Sequence, residues 1–246
     1  MNDAPPPTAF PPDPEADLLA SWDANAAAWT ASVREGAIAS RRAGTDAAIV
    51  EAVAQSGAKT ALDVGCGEGW LARALAARGV DVTGVDGSAV LVAAAEARGG
   101  GRFLAVTYEA LAANAGTLGG TLRAADLRAA DPRFEAVVCN FALLGESVGG
   151  LLAALRTLTA PGGRLFVQTL HPLNLDGPYA DGWRVETFAA FGGAYRAPMP
   201  WYARTVGGWV RVLRAAGWAV EDVREPIHPE SGRPLSLLLV AAVKGA

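Results

Sequence analysis

Apolar positions along the chain change period several times, and each change marks an element. From Asp17 to about Gly57 the spacing is helical and predicts two helices broken near Gly36 and Gly44. At Lys59 it turns abruptly into a short apolar strand, Ala61-Leu62-Asp63-Val64, followed by Gly65-Cys66-Gly67-Glu68-Gly69. Helical spacing resumes at Trp70, Leu71, Ala74 and Leu75 and stops at Gly79, which suits the position just past a helix end. Val80–Val85 is a second strand ending on Asp86, followed by a helix over Ser88–Arg98, a strand over Arg102–Thr107 and a short helix near Tyr108–Ala113. Residues 114–134 hold Gly116, Gly119, Gly120 and Pro132 and predict an inserted loop or short helix.

Beyond this insertion, Ala136–Asn140 reads as a fourth strand, Val148–Leu158 as a helix, and Pro161-Gly162-Gly163 as a turn into a strand over Arg164–Thr169. Strands alternating with helices at this spacing predict an α/β fold, a parallel sheet covered on both faces. The end of the chain departs from that rule. A helix over Thr205–Ala216 leads to a strand over Trp218–Arg224, then to a Pro/Gly loop and a strand over Leu235–Val243 with no helix between. Two strands joined without a crossover pair antiparallel or lie apart.

Composition narrows the function classes. Hydrophobic residues make up 51% of 246, but the excess is mostly alanine, and no charge-free apolar run reaches the length of a membrane span. With no basic segment leading into an apolar one near Met1, a cytoplasmic protein that does not enter the membrane is expected. Residues 1–16 are Pro-rich and read as a flexible tail. The net charge of −4 and the lack of any Lys/Arg cluster beyond Arg41-Arg42 argue against a nucleic-acid partner. Cys66, Cys139, His171 and His228 are the only cysteines and histidines, and none has metal-ligand spacing, so no metal is expected and both cysteines read as small buried thiols.

The segment that carries chemistry is Leu62-Asp63-Val64-Gly65-Cys66-Gly67-Glu68-Gly69-Trp70. A strand entering a helix through glycines lets backbone N–H groups approach a ligand where any Cβ would intrude. A dinucleotide site would need its third glycine at position 70, which is tryptophan, and the phosphate-binding Lys-Ser/Thr loop is absent. The turn therefore suits a nucleoside ligand without a pyrophosphate. Asp86 lies twenty-one positions after Gly65, at the next strand end, where a carboxylate can accept both ribose hydroxyl protons. As a strand-end residue it is expected to matter little to stability without ligand.

These residues, with Val82-Thr83-Gly84-Val85-Asp86-Gly87-Ser88, Val137–Leu144 and Leu158–Pro172, resemble class I S-adenosylmethionine (SAM)-dependent methyltransferases of the ubiquinone-biosynthesis-like, small-molecule kind. The resemblance covers residues 58–170 and implies a Rossmann-like doubly wound sheet of seven strands, order 3-2-1-4-5-7-6 with strand 7 antiparallel. It implies SAM as cofactor, S-adenosylhomocysteine as product, and methyl transfer to a small molecule, oxygen or nitrogen being favoured over carbon. By position, Asp63, Gly65, Cys66, Gly67, Gly69 and Trp70 would meet the methionine part of the cofactor and Asp86 its ribose. Relatives often carry an aspartate after strand 3 for the adenine; here Thr107 and Tyr108 take that place, with Asp126 from the insertion as the alternative. Asn140 and Phe141, after strand 4, would border the transferring methyl.

The Trp22–Trp29 segment resembles the N-terminal helix that covers the site in relatives, so residues 17–57 are expected to form a helical lid. Trp22 and Trp29 share one helix face, which fits a substrate contact or ordinary packing equally. Residues 171–203 concentrate Tyr179, Trp183, Phe188, Phe191, Tyr195, Trp201 and Tyr202 in a Gly/Pro-broken segment, which suggests an aromatic cap over an acceptor pocket. Trp183 and Tyr202 are candidate substrate contacts. His171 and His228 fall on the same rim, His171 as candidate general base and His228 as a substrate contact, with turn residues as the alternative for both. Three rivals stay open: a SAM-binding sensor without turnover, a nicotinamide oxidoreductase, and an RNA or protein methyltransferase. A monomer or a homodimer is compatible with the sequence.

Overall fold

Alternation within the strands sorts this chain into a three-layer structure. The computed structural model describes residues 13–123, 133–191 and 194–245. Five parallel strands, β1 (Thr60–Val64), β2 (Asp81–Asp86), β3 (Arg102–Ala105), β4 (Phe134–Asn140) and β5 (Thr159–Leu170), form the body of the sheet. Outside it, β6 (Gly182–Glu186) pairs antiparallel with β7 (Met199–Ala203) in a separate ribbon. The last two strands are β8 (Trp218–Arg224) and β9 (Ser236–Val243), and β9 runs antiparallel between β5 and β8. The sheet order is β3-β2-β1-β4-β5-β9-β8. With the ribbon set aside this is 3-2-1-4-5-7-6, so the helix-free connection at the chain end pairs antiparallel.

Successive residues of the apolar strands face opposite layers. Leu62, Val137, Leu165 and Leu239 pack with α5 (Tyr108–Arg123), α6 (Gly149–Thr157) and α7 (Val206–Ala215) around Trp209 and Trp218. Ala61, Val138, Phe166 and Leu238 face the other layer, made by α2 (Asp46–Gln55), α3 (Trp70–Ala76) and α4 (Ala89–Glu96). The fully buried Trp218 donates its indole N–H to the Leu152 carbonyl (2.8 Å), which ties β8 to α6.

Several boundaries differ from the pattern, for identifiable reasons. Asp13 caps α1 (Pro14–Arg34) by accepting the Ala16 N–H, and Pro14 stands at its first turn, so the helix starts inside the expected tail. The break near Gly36 and Gly44 is present, and the second part is a π-helical turn, Arg41–Thr45, leading into α2. Rather than stopping at Ala113, α5 runs to Arg123 through a kink at Asn114; it lies against α6, and Leu111 and Ala115 are in the core. Residues 124–132, and with them Asp126, lie outside the described residues. The Pro161-Gly162-Gly163 turn is absorbed into β5, where the register with β4 shifts between Phe134 and Ala136. Cys66 and Cys139 are both buried free thiols.

Candidate active site

At the C-terminal end of β1 the chain turns sharply under its own hydrogen bonds. Gly65 and Cys66 both donate to the Val85 carbonyl, at 2.8 and 3.0 Å. Gly65 has φ +75°, and a Cβ there would lie 2.5 Å from the Ala142 methyl and 2.7 Å from the Tyr108 hydroxyl. Only glycine fits that approach. Asp86 fastens the turn from the neighbouring strand: one carboxylate oxygen accepts the Gly67 N–H (2.8 Å), the other the Ser88 N–H (2.9 Å). Burial raises the Asp86 carboxyl above its ordinary range, and these two bonds pull it back. Asp63, beneath the turn, is only 2% exposed, and its Oδ2 has no hydrogen-bond partner among the described residues. Burial, with the charge of Asp86 added, pushes its pKa to about 7.

Glu68 ties the turn to its surroundings. It is 1% exposed, with Arg73 at 2.5 Å and Arg34 of α1 at 3.0 Å. Arg34 also donates to the Ala94 carbonyl of α4, so the end of the N-terminal helix is docked on the glycine turn.

Above the turn lies a cavity of about 270 Å³. Gly65, Cys66, Gly67, Glu68, Trp70, Asp86, Thr107, Tyr108, Asn140 and Phe141 form its floor, the ends of β1, β2, β3 and β4. Trp22 and Trp29 of α1 meet edge to face (5.1 Å) on one wall; Phe188, Phe191, Met199 and Trp201 make another. Tyr108 donates its hydroxyl to the Ala142 carbonyl (3.0 Å), and burial holds its pKa well above the ordinary phenol value. Arg41 is the only cationic side chain lining the cavity among the described residues; its guanidinium lies 4.2 Å over the Trp70 ring. Phe141 (φ +51°) and Phe188 (φ +60°) are the only non-glycine residues with positive φ among those described, and both line this cavity. Strained backbone of this kind costs about 1–3 kcal/mol and persists where surrounding contacts over-determine it. For Phe188 those are a ring stack on Tyr195 (4.4 Å) and an N–H bond to Glu186 (2.6 Å).

Four candidates lie elsewhere. His171 is 1% exposed; its Nδ1 accepts the Leu173 N–H, so Nε2 carries the proton and donates to Glu225 (2.7 Å). It caps the short turn Pro172–Asn174 and is not among the residues lining the cavity. His228 accepts the N–H groups of Glu230 and Ser231 beside a separate shallow groove with Asn174 and Arg233. Trp183 and Tyr202 are cross-strand partners in the β6–β7 ribbon, 5.5 Å apart, and strand alternation turns them away from the cavity. Met199 and Trp201, on the other face of β7, line the cavity instead. Gly69, an expected cofactor contact, is likewise not among the lining residues and serves packing: a Cβ there would press on Ala95 and Phe103 at 2.9 Å. Glu68 falls within the Gly65–Gly69 turn expected to face the methionine part of the cofactor, whereas Arg41 and Met199 are not candidates from sequence, and only the apolar alternation of Met199, Trp201 and Ala203 offers a local signal.

Among the described residues, no cluster of three His, Cys, Asp or Glu side chains could hold a metal ion, and no helix is long and apolar enough to cross a membrane. Residues 39–223 match the family model described as a methyltransferase domain. The ubiquinone biosynthesis O-methyltransferase of Burkholderia orbicola is 34% identical over 124 residues, 50% of this chain and 49% of the relative. The protein of the same name from Burkholderia lata is 33% identical over 152 residues, 61% of this chain and 57% of the relative. The chain thus spans about half the length of the curated relatives it matches. Among solved structures, the Burkholderia thailandensis 1,6-didemethyltoxoflavin-N1-methyltransferase, with 1,6-didemethyltoxoflavin and S-adenosylhomocysteine bound, has the same fold. It superposes with a TM-score of 0.61 over 98% of this chain and 93% of that one, at 23% identity. The family match runs from the π-helical turn through the glycine turn and Asp86 to β8, and this chain belongs to the methyltransferase-domain family.

Proposed function

We propose that this protein transfers a methyl group from S-adenosylmethionine to an oxygen or nitrogen atom of a small, planar, largely apolar molecule. The observation that carries the reading is the meeting of the Gly65–Gly67 turn, Asp86 and an aromatic-walled chamber in one cavity at the C-terminal edge of the sheet. The residues fit the cofactor. Each Asp86 oxygen accepts one backbone N–H and keeps a lone pair for a ribose hydroxyl. A Cβ at Gly67 would meet nothing nearer than the Trp29 indole nitrogen at 3.8 Å, so the missing side chain leaves room above the turn. Arg41 would supply a cation for a carboxylate, and Thr107 and Tyr108, which follow β3 and line the cavity, would meet the adenine.

Bound there, S-adenosylmethionine supplies an electrophilic methyl on a sulfonium, and the reaction is an in-line displacement in which the positive charge disappears. The chain's part is mostly placement. Trp22, Trp29 and Trp201 offer flat apolar faces that orient a planar acceptor and keep water from it. A proton leaving the acceptor meets carboxylates rather than imidazole: Glu15, Glu109 and Glu186 line the cavity, and no histidine does among the described residues. The single arginine and several acids of the lining suit a free small molecule better than a phosphate backbone. Calorimetry tests the assignment: S-adenosylmethionine and S-adenosylhomocysteine bind with micromolar-class affinity and NAD does not. Binding of NAD without S-adenosylhomocysteine overturns it.

The same reading makes α1, ahead of its docked Arg34 end, and residues 182–191 and 194–203 a lid whose parts move together. Asn25 donates to the Ala197 carbonyl (2.8 Å) and accepts the Arg196 N–H (2.7 Å), while Tyr195 bonds Ser32 (2.9 Å). Amide exchange in both stretches is expected to be fast without ligand and to slow together when S-adenosylhomocysteine is added. Full protection of both without ligand marks them as permanent walls.

A further inference from the structure

The amide of Asn140, on the cavity floor, is held by a chain of bonds whose direction follows from elementary donor and acceptor rules. Gln168, next to Asn140 in the sheet, is 1% exposed. Its nitrogen lies 2.9 Å from the Thr45 carbonyl oxygen and 2.8 Å from the Asn140 side chain. A backbone carbonyl can only accept, so the Gln168 atom facing it is the NH₂ group. That group has two protons: one goes to Thr45, and the second must go to an acceptor, which fixes Oδ1 as the Asn140 atom facing Gln168. The Gln168 oxygen, in turn, faces the Ser236 hydroxyl (3.4 Å) at the fully buried start of β9. Asn140 is left with its Nδ2, two donors without a protein partner among the described residues, and Asn140 lines the cavity.

We propose that Gln168 is a positioning residue: held by Thr45 and Ser236, it locks Asn140 so that the cavity floor presents hydrogen-bond donors. The bound molecule therefore carries a lone-pair atom at this point, such as a ring nitrogen, carbonyl or hydroxyl oxygen, rather than an N–H. A free asparagine could turn either end toward a ligand, and only the relay removes that choice. Gln168 on β5 and its two anchors, from the π-helical turn and β9, set the polarity of the floor from outside the cavity.

The inference rests on the proposed function only for which part of the cavity stays open, and its test does not need turnover. Quinoline carries an acceptor and no donor, indole a donor and no acceptor, and both are flat, neutral and alike in size. Their binding is compared by ligand-observed NMR on the full chain, with and without S-adenosylhomocysteine. The wild type is expected to favour quinoline about fivefold, the worth of one ordinary hydrogen bond. Asn140→Asp keeps an acceptor for Gln168 and turns a second acceptor to the cavity, so the preference inverts toward indole. Gln168→Met removes the lock without removing the volume, and the ratio falls to near one. A merely structural role for Gln168 would weaken both probes equally and leave the ratio unchanged, which overturns the proposal. So does equal binding of the two by the wild type, including no binding of either. Failure to bind S-adenosylhomocysteine overturns the cofactor assignment instead, and the probe ratio without it still decides the relay.

Discussion

Asp86→Ala is expected to weaken S-adenosylhomocysteine binding ten- to over a hundredfold, about 1.5–3 kcal/mol, as two charge-assisted bonds to the ribose are lost. The geometry adds a second effect that a strand-end position alone does not suggest. The same carboxylate holds the Gly67 and Ser88 N–H groups, so alanine leaves two donors at the turn without partners. The unliganded variant should therefore melt below the wild type, by an amount on the order of 1–2 kcal/mol, because removing a carboxylate strained by burial offsets part of the loss. Calorimetry at low temperature, where the variant is folded, separates the two effects. Normal affinity would reduce Asp86 to an anchor of the turn. An unchanged melting midpoint would show that its two backbone bonds contribute little.

Much of this site is legible in the sequence because it is built from neighbours along the chain. The strand–glycine turn–helix segment and Asp86 are local signals, and their meeting follows from the parallel pairing of β1 with β2. The apolar runs of β4 and β9 are equally plain, since strands buried on both faces need no alternation. Failure begins where a role depends on a distant partner. Glu68 looks like a turn residue until Arg34 arrives from α1, and Arg41 looks like a surface charge until it stacks on Trp70. The β6–β7 ribbon was hidden by its flanking prolines and glycines, so the aromatic density was visible but the face of each ring was not. His171 fell on the expected rim, yet its side chain turns back to cap its own turn, a competition that local hydrogen bonding wins at many chain reversals.

Asp63→Asn should remove most of the pH dependence of stability between about pH 4 and 7, and it should raise the melting point of the unliganded protein above pH 7. The carboxyl sits at the end of β1 with one oxygen unpartnered, and burial moves its pKa from 3.8 to about 7. The folded chain thus holds this proton more tightly than the unfolded chain does. Its favourable contribution is complete below about pH 4 and is lost progressively as the pH rises to about 7; above that the buried carboxylate is a constant cost. That interval corresponds to on the order of 4 kcal/mol as an upper bound, a large fraction of the stability of a domain of this size. Asparagine matches the shape and carries no charge at any pH, so its melting curve should lose this slope. Asp86 faces the same turn, its charge contributes to the Asp63 shift, and its own carboxyl is raised by burial, so Asp86→Ala should flatten the slope partly and Asp63→Asn should leave only the smaller slope that Asp86 carries. Thermal melts of the three proteins from pH 4.5 to 8.5 make the comparison. A wild type whose stability is flat across that range, or an asparagine variant that melts lower at pH 8, would mean that the second carboxylate oxygen is satisfied in solution. Asp63 would then be an ordinary ionised anchor of the glycine turn.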